Sequence, residues 1–160
     1  MHRRLHLLGL IAFVSSCGSL LRAAELQFEH LWPGWREAAS FERIGEFFGR
    51  KETGLGEKIF RTQPDSRAGY YFLVRLKHAA ETNQARFVLN IIRPDSPDAK
   101  TFTFPVKVKA GAPLFHLGLT GTDWPGGAKI HPVAWKLELL GEDGRTLLEE
   151  KSFLWEKPAK

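Results

Sequence analysis

Apolar and polar residues alternate with a period of two along much of this sequence, and this alternation restricts the fold more than any other feature. Successive side chains of a β-strand point to opposite faces of its sheet, so each such run predicts a strand with one buried face. The clearest runs are residues 70–76, 87–91, 102–108, 115–119 and 133–139. With a first run from Leu26, a short one at 58–62 and a last one from Leu147, the prediction is seven or eight strands.

The first and last strands are predicted from fewer apolar positions. The first begins with Leu26, Phe28 and Trp32. Asp143-Gly144 is a strong hairpin signal between the last two runs. The two arms of this hairpin carry Val133, Trp135, Leu137 and Leu139 on one side and Leu147, Phe153 and Trp155 on the other. We expect both tryptophans of these arms to be structural.

Turn-forming residues separate the runs at fairly even spacing, for example at 63–66, 93–97 and 123–127. The connections are too short for the crossover helices that a parallel sheet requires. The sequence therefore predicts an all-β, mainly antiparallel fold, an immunoglobulin-like β-sandwich of seven or eight strands. A small β-barrel is the alternative.

Two segments carry positional information beyond the alternation. Pro105 has no N–H to donate to a neighbouring strand, so the strand at 101–109 is predicted to lie at a sheet edge. Near 41–48, Ser40 could cap a short helix with its apolar residues on one face. A strand fits this segment as well, and the helix is the favoured interpretation.

The first two dozen residues have the pattern of a bacterial export signal. A short positive stretch precedes an apolar run at 5–14, and small residues follow at 15–19. The apolar run is too short to span a bilayer as a helix, which takes about 20 residues. We therefore expect residues 1–24 to be a signal sequence and residues 25–160 to form a single sandwich domain.

Cys17 raises the question of a lipid anchor. Val14-Ser15-Ser16-Cys17 looks like a lipobox, in which the cysteine is acylated and becomes the new N-terminus. Cleavage near Ala24 is the alternative and would release a soluble periplasmic or secreted protein. Because Cys17 is the only cysteine, residues 25–160 cannot form an intrachain disulfide, which favours a bacterial cell envelope. The lipid-anchored form is slightly favoured.

The charge balance argues against a nucleic-acid partner. The whole chain has a formal charge of +5, but Arg3, Arg4 and Arg22 carry three of its 23 basic charges. From Glu25 onward, 20 basic residues stand against 18 acidic ones, with the signs interspersed. A nucleic-acid binder concentrates its basic charge in a patch or stripe, so we expect no nucleic-acid partner.

No recognisable active-site motif is present. No serine lies in a Gly-x-Ser-x-Gly elbow, and the adjacent Glu149 and Glu150 would point to opposite faces of a strand. The turn around Asp95 and Asp98 lacks the oxygen ligands of an EF-hand loop. The histidines after residue 24 lack zinc-type spacing; they are His30, His78, His116 and His131. We expect no enzymatic activity, no metal and no cofactor.

Tryptophans in turn-rich segments suggest a binding surface. Trp35 follows Pro33-Gly34, and Trp124 lies between Asp123 and Pro125. An exposed indole beside a carboxylate could stack on a sugar ring, which would make the protein a carbohydrate-binding module. The more conservative interpretation is that these tryptophans fold back and close the end of the sandwich, where their apolar area is buried.

Two predicted strands are apolar on both faces. Tyr71 and Leu73 alternate with the core positions of their strand, as Val88 and Ile92 do in the next one. A strand with a solvated outer face alternates cleanly, so these four residues are predicted to share one covered face of a strand pair. The cover would be either the 41–48 segment or a partner protein.

The sequence thus favours a non-enzymatic cell-envelope protein that acts through contacts with a protein partner. A carbohydrate-binding module that recognises a polysaccharide is the alternative. We expect no contact with the membrane except through a lipid at Cys17.

Overall fold

The computed structural model describes residues 25–41, 58–77 and 79–156. In these residues the chain forms eight strands: β1 (Gln27–Arg36), β2 (Lys58–Arg61), β3 (Gly69–Lys77), β4 (Thr82–Ile92), β5 (Ala99–Val108), β6 (Leu114–Thr120), β7 (Ala134–Leu140) and β8 (Thr146–Lys151). Short 3-10 helices span Ala38–Phe41, Gly121–Asp123 and Phe153–Glu156. Among the described residues, no helix has the length and apolar character needed to cross a membrane.

The strands form two four-stranded sheets. The first sheet has the order β1-β3-β6-β2 and the second the order β5-β4-β7-β8. All strand pairs are antiparallel except β2 with β6. In an immunoglobulin-like sandwich the first, second and fifth main strands share one sheet, and the third, sixth and seventh share the other. Setting β2 aside, this chain has that order with β5 added beside β4, which confirms the predicted fold. The barrel alternative is wrong, since the described strands form two separate sheets.

The core lies between the inner faces of the two sheets. Aromatic side chains join the sheets in edge-to-face contacts: Phe87 lies 5.2 Å from Phe115, and Phe72 lies 5.4 Å from Trp135, between ring centroids. Leu89 and Leu117 are fully buried from opposite sheets. Full burial of an aliphatic or aromatic side chain of this size contributes roughly 1.5–3 kcal/mol.

A β-bulge in β1 reverses the predicted face of this strand. The register with β3 shifts between Phe28 and His30. A bulge inserts one extra residue and so changes which positions face the core. Leu31 and Trp35 therefore pack against the core, whereas Trp32, predicted to share a face with Phe28, is 47% exposed.

The last strand also has the opposite parity to the prediction. In β8, Leu148 and Glu150 are partly buried, while Leu147 is 43% exposed. The strand ends at Lys151, and the 3-10 helix that follows leaves Phe153 73% exposed. The register between β7 and β8 shifts by one position near Leu140. The even-numbered residues of β8 therefore face inward in place of the odd-numbered residues that were predicted.

Other positional predictions have different outcomes. The strand with Pro105 lies at the edge of the second sheet, as predicted. In the 41–48 segment only Phe41 is described; it is buried and ends a 3-10 helix. The remainder of that segment, His78, and the predicted signal with Cys17 lie outside the described residues.

Candidate functional site

The two doubly apolar strands do not form a pair. The β3 strand belongs to the first sheet and β4 to the second. The outer-face residues Tyr71 and Leu73 therefore lie on the opposite side of the sandwich from Val88 and Ile92. The prediction of one shared covered face is wrong, because alternation shows that a strand has two apolar faces but not which strand lies beside it.

On the first sheet, the chain itself covers part of the outer face. Tyr71 is fully buried, and the Phe41 ring lies 4.7 Å from its ring. The Tyr71 hydroxyl accepts a hydrogen bond from Nε of Arg61 at 2.9 Å and donates one to the Arg67 carbonyl at 2.7 Å. The Arg61 guanidinium also lies 5.0 Å from the Phe41 ring centre, a cation–π contact. Tyr71 is thus a structural residue and not a free surface for a partner.

The remaining three residues are only partly buried. Leu73 lies between Trp32 and His116 in the pairing of the first sheet. On the second sheet, Val88 pairs with Thr103 and Glu138 in the neighbouring strands. Ile92 pairs with Ala99 and Ala134 at the end of β4. Val88 therefore lies among polar neighbours on a solvated face.

Neither predicted tryptophan is an exposed platform. Trp35 packs against the core, and its Nε1 donates a hydrogen bond to the Glu37 carboxylate at 2.6 Å. Trp124 is only 4% exposed and lies 4.7 Å from the Tyr70 ring. The interpretation that Trp124 closes the end of the sandwich is confirmed, and it does not offer a flat face to a sugar.

Apolar side chains are instead exposed at one end of the sandwich, which we call the apolar end. Ile130 is 41% exposed in the loop before β7, and Val133, directly before that strand, is 47% exposed. Phe153 and Leu154, just after β8, are 73% and 49% exposed. The start of β7 and the end of β8 lie together because the strands are antiparallel. The alternation grouped Val133 and Phe153 with the inward-facing residues of the last hairpin, and this prediction is wrong, because both residues lie just outside β7 and β8.

A cleft of about 340 Å³ opens at the same end. The cleft lies between the residues that follow β4 and the long connection from β6 to β7. Its lining residues are Arg93, Pro94, Asp95, Trp124, Pro125, Gly126 and Ile130. This volume is within the range of small-ligand sites.

Arg93 is held rigidly at the base of this cleft. Its side chain is 8% exposed, Nη1 donates to the Asp123 carbonyl at 2.9 Å, and Nη2 donates to the Asp95 carboxylate at 3.0 Å. The predicted candidate Asp123 therefore contributes through its main chain, by fixing the arginine. The buried charge is compensated by Asp95, as burial of a guanidinium requires.

Two buried donors of the cleft residues have no hydrogen-bond acceptor within the described part of the chain. They are Nε1 of Trp124 and Nε of Arg93. A buried N–H without an acceptor costs about 1–3 kcal/mol. Gly126 allows Ile130 and the indole to pack closely around it, because a Cβ there would lie 2.7 Å from Cβ of Ile130 and 3.1 Å from Nε1 of Trp124.

The histidines and carboxylates that the structure describes do not form a metal-binding cluster. Among the described residues, no group of three histidine, cysteine or carboxylate side chains could hold a metal ion. His131 lies near the cleft, where its Nδ1 is 3.4 Å from the Tyr70 hydroxyl. Burial raises the pKa of Tyr70. Asp98 lies in a turn in which its N–H donates to Ser96 Oγ at 3.2 Å, and Asp95 pairs with Arg93.

Comparison with known proteins leaves the family open. No family model matches the chain, and no curated protein matches it. Among solved structures, the chain is similar to an immunoglobulin-like protein from Pseudomonas aeruginosa, with 15% sequence identity and a TM-score of 0.35. The match covers 81% of this chain and 96% of the other.

Proposed function

We propose that this protein is an exported, non-enzymatic module of the bacterial cell envelope that binds another protein through the apolar end of its sandwich. The single observation that carries this proposal is the exposure of four large apolar side chains at that end, Ile130, Val133, Phe153 and Leu154. Exposed apolar groups that lie together on a protein surface are typical of protein–protein contact sites.

The distribution of exposed apolar residues supports a contact site at one end of the sandwich rather than one spread over the whole surface. The remaining large exposed side chains of the described residues are Trp32, on the first sheet, and Leu147, beside the β7–β8 hairpin. The hairpin lies at the opposite end of the sandwich from Val133 and Phe153. In immunoglobulin-like folds, loops gathered at one end of a rigid sandwich often form the binding surface.

Site-specific crosslinking tests the proposed contact. A photoreactive phenylalanine analogue is placed at Phe153 in one strain of the native host and at Leu147 in another, which is the matched control at the opposite end. We expect a crosslinked product of discrete mass from position 153 and none from position 147. The partner, identified by mass spectrometry, is then titrated with the purified parent and with the Val133→Ser/Phe153→Ser and Leu147→Ser variants.

The first double variant is expected to bind the partner at least about tenfold more weakly, because burial of an aromatic or aliphatic side chain of this size is worth more than 1.4 kcal/mol. Leu147→Ser is expected to bind as the parent does. Equal affinities of all three proteins would refute the proposed contact.

Export and anchoring rest on residues 1–24. The positive stretch, the apolar run and the small residues that end at Cys17 support them. Mass spectrometry of the protein purified from membranes of the native host tests this part. An N-terminal peptide that begins at Cys17 and carries lipid mass supports the anchor. A free N-terminus at Ala24 or Glu25 would exclude it.

Carbohydrate binding remains a second candidate, on a different residue from those predicted. Trp32 is 47% exposed on the outer face of the first sheet, stacked on His30 at 4.5 Å between ring centres. A flat exposed indole can stack on a sugar ring. Retention on insoluble envelope polysaccharide that is lost in Trp32→Ala, without loss of thermal stability, would support this function.

A further inference from the structure

A second cleft, which we call the basic cleft, lies between an edge strand of each sheet. The strand β2 is an edge of the first sheet, and β5 is an edge of the second. The cleft is lined by Lys58 and Phe60 of β2, residues 83–86 of β4, residues 105–107 of β5, and Glu142. Its volume of about 510 Å³ is within the range of small-ligand sites. Because Glu142 belongs to the β7–β8 turn, the basic cleft lies at the opposite end of the sandwich from the apolar end.

The buried lining residues of the basic cleft are apolar. Ala85 and Val106 are buried, and Phe60 packs against the core. Pro105 adds an exposed apolar ring on the edge strand. A ligand in this cleft therefore meets apolar surface as well as charged groups, which is the usual composition of a binding site.

The charges of the lining residues do not balance. Lys58, Arg86 and Lys107 are positive, and only Glu142 is negative, which leaves an excess of two positive charges. Within the part of the chain that the structure describes, none of these four residues forms an ion pair. The same is true of Lys109, two residues beyond Lys107. The three lysines and Arg86 are thus available to an anion from outside.

The ammonium group of Lys58 is held between the two edge strands. Its Nζ donates a hydrogen bond to the Lys107 carbonyl and lies 5.9 Å from the centre of the Phe115 ring. Burial lowers the pKa of Lys58, and the positive charges of Lys109 and Lys107 lower it further. The three ammonium groups are therefore close enough to repel one another, and an anion beside them would offset this repulsion.

We propose that the basic cleft binds a small organic phosphate, a phosphate monoester on an apolar body. The phosphate group lies beside Lys58 and Lys107, and the apolar part packs against Phe60 and Pro105. A phosphate monoester carries close to two negative charges at pH 7, which matches the excess charge of the lining residues. A carboxylate would compensate only half of it. This site is separate from the apolar end, so the inference goes beyond the proposed function and does not depend on it.

The test uses the purified protein and a defined probe, phenyl phosphate, at about pH 7.5, where a phosphate monoester is a dianion. Assigned ¹⁵N spectra follow the side-chain amide of Asn83, which lines the cleft. We expect this resonance to move saturably, with a dissociation constant in the millimolar range for a ligand of roughly ten heavy atoms. The Asn90 amide, whose oxygen accepts a hydrogen bond from Thr101, is the internal reference and should not move.

Two further small ligands separate the chemical alternatives. Inorganic phosphate has the charge without the apolar part, and benzoate has the ring with a single negative charge. We expect both to bind about threefold more weakly or worse than phenyl phosphate. Equal or tighter binding of benzoate would overturn the assignment to a dianion, and equal or tighter binding of inorganic phosphate would overturn the apolar part. Absence of saturation by all three ligands would overturn the site.

Vesicles separate a free organic phosphate from the same group on a lipid. Phosphatidate presents a phosphate monoester at a bilayer surface. We expect the protein to stay in the supernatant when it is centrifuged with phosphatidate vesicles, because the lining residues belong to a cleft and not to a flat surface. Pelleting that phenyl phosphate reverses would overturn the assignment to a free small molecule.

Two exposed lysines of β5 provide matched variants. Lys107 lines the cleft, whereas Lys100 lies at the other end of the same strand. Lys107→Gln leaves the main-chain acceptor of Lys58 in place and should bind phenyl phosphate at least about fivefold more weakly, the effect of one lost charged hydrogen bond. Lys100→Gln changes the net charge equally and should bind as the parent does. Equal weakening by both would reduce the interaction to a general charge effect and overturn the site.

The outcomes distinguish this inference from the proposed function. Failure of the phenyl phosphate titration, together with a crosslink from Phe153 but not from Leu147, would remove the basic cleft and leave protein binding at the apolar end. Saturable binding of phenyl phosphate without that crosslink would do the reverse. The parent titration needs no variant, so it decides the inference even if Lys107→Gln does not fold.

Discussion

The outer faces of the two sheets differ in how far their apolar residues are buried. On the first, Phe41 covers Tyr71, which is fully buried and holds hydrogen bonds to Arg61 and Arg67. On the second, Val88 and Ile92 stay partly exposed. Around them lie polar contacts, such as the cross-strand hydrogen bond from Thr101 Oγ1 to the Asn90 side chain at 2.7 Å and the ion pair of Lys136 with Glu138 along β7 at 3.0 Å.

This difference shows that similar strand sequences do not have equivalent surroundings. Both β3 and β4 carry apolar residues on their outer faces, but within the described part of the chain only β3 has a segment packed on that face. The contribution of an outer-face residue to the free energy of unfolding therefore depends on what packs over it, and not on its hydrophobicity alone. Substitutions on the two faces are expected to differ accordingly.

The largest expected effect comes from Tyr71→Ala. This change removes a fully buried aromatic ring and leaves its hydrogen-bond partners without the hydroxyl, so the free energy of unfolding should fall by about 3–5 kcal/mol. Val88→Ala on the other face should cost less than about 1 kcal/mol, because that side chain is partly exposed. Urea unfolding of both variants measures the contrast. Similar losses would show that the two faces are covered alike.

The next effect tests how tightly Tyr71 is held. Gly118 and Gly34 flank Tyr71 from the neighbouring strands β6 and β1. A Cβ at Gly118 would lie 2.3 Å from the Tyr71 ring, whereas one at Gly34 meets nothing within 4 Å. We expect Gly118→Ala to lower the free energy of unfolding by about 1–3 kcal/mol.

Gly34→Ala is the matched control for that variant. It should be neutral or stabilising by up to about 1 kcal/mol, because alanine restricts the unfolded chain more than glycine does. Thermal unfolding at one pH compares the two proteins. If Gly34→Ala is the more harmful change, the ring has a different position from the one described.

A smaller effect is expected on the solvated face of the second sheet. Lys136 lies 3.0 Å from Glu138 and 3.9 Å from Glu149. Partly exposed pairs of this kind contribute about 0–1 kcal/mol and are screened by salt. Lys136→Ala should therefore lower the melting temperature slightly in dilute buffer and less in high salt. A large fall in melting temperature that salt does not change would mean that this face is covered.

The smallest effect concerns the two neighbouring glutamates of β8. Burial raises the pKa of Glu150, which is opposite the core residue Leu137 in the strand pairing. A raised pKa in the folded state means that stability is greatest below the ordinary pKa of a glutamate and declines as pH rises through the shifted value.

Glu150→Gln should consequently raise the melting temperature slightly at pH 7 and have little effect near pH 4. Glu149→Gln is the control, because Glu149 is on the solvated face beside Lys136. It should not raise the melting temperature at pH 7. Melting curves across this pH range would contradict the assignment if Glu149→Gln were the stabilising change.

Much of the fold follows from the sequence alone, for a local reason. The side-chain period of a strand is visible in the order of residues, and so are the turn residues and the edge position of Pro105. These features predicted the sandwich. The same local logic failed in β1 and β8, where register shifts near His30 and Leu140 change the inward-facing positions. Neither shift has a marker in the alternation.

Only the tertiary structure decided which surfaces could act together. Alternation cannot show that β3 and β4 lie in different sheets, because strand pairing depends on contacts between distant residues. The candidate cleft brings residues 93–95 together with 124–126 and Ile130. Its features arise from burial: Arg93 looked like a turn residue in the sequence and became a rigid donor when Asp95 and the Asp123 carbonyl fixed it. A sequence specifies the faces of its strands locally, but a site assembled from loops depends on how the sheets stack.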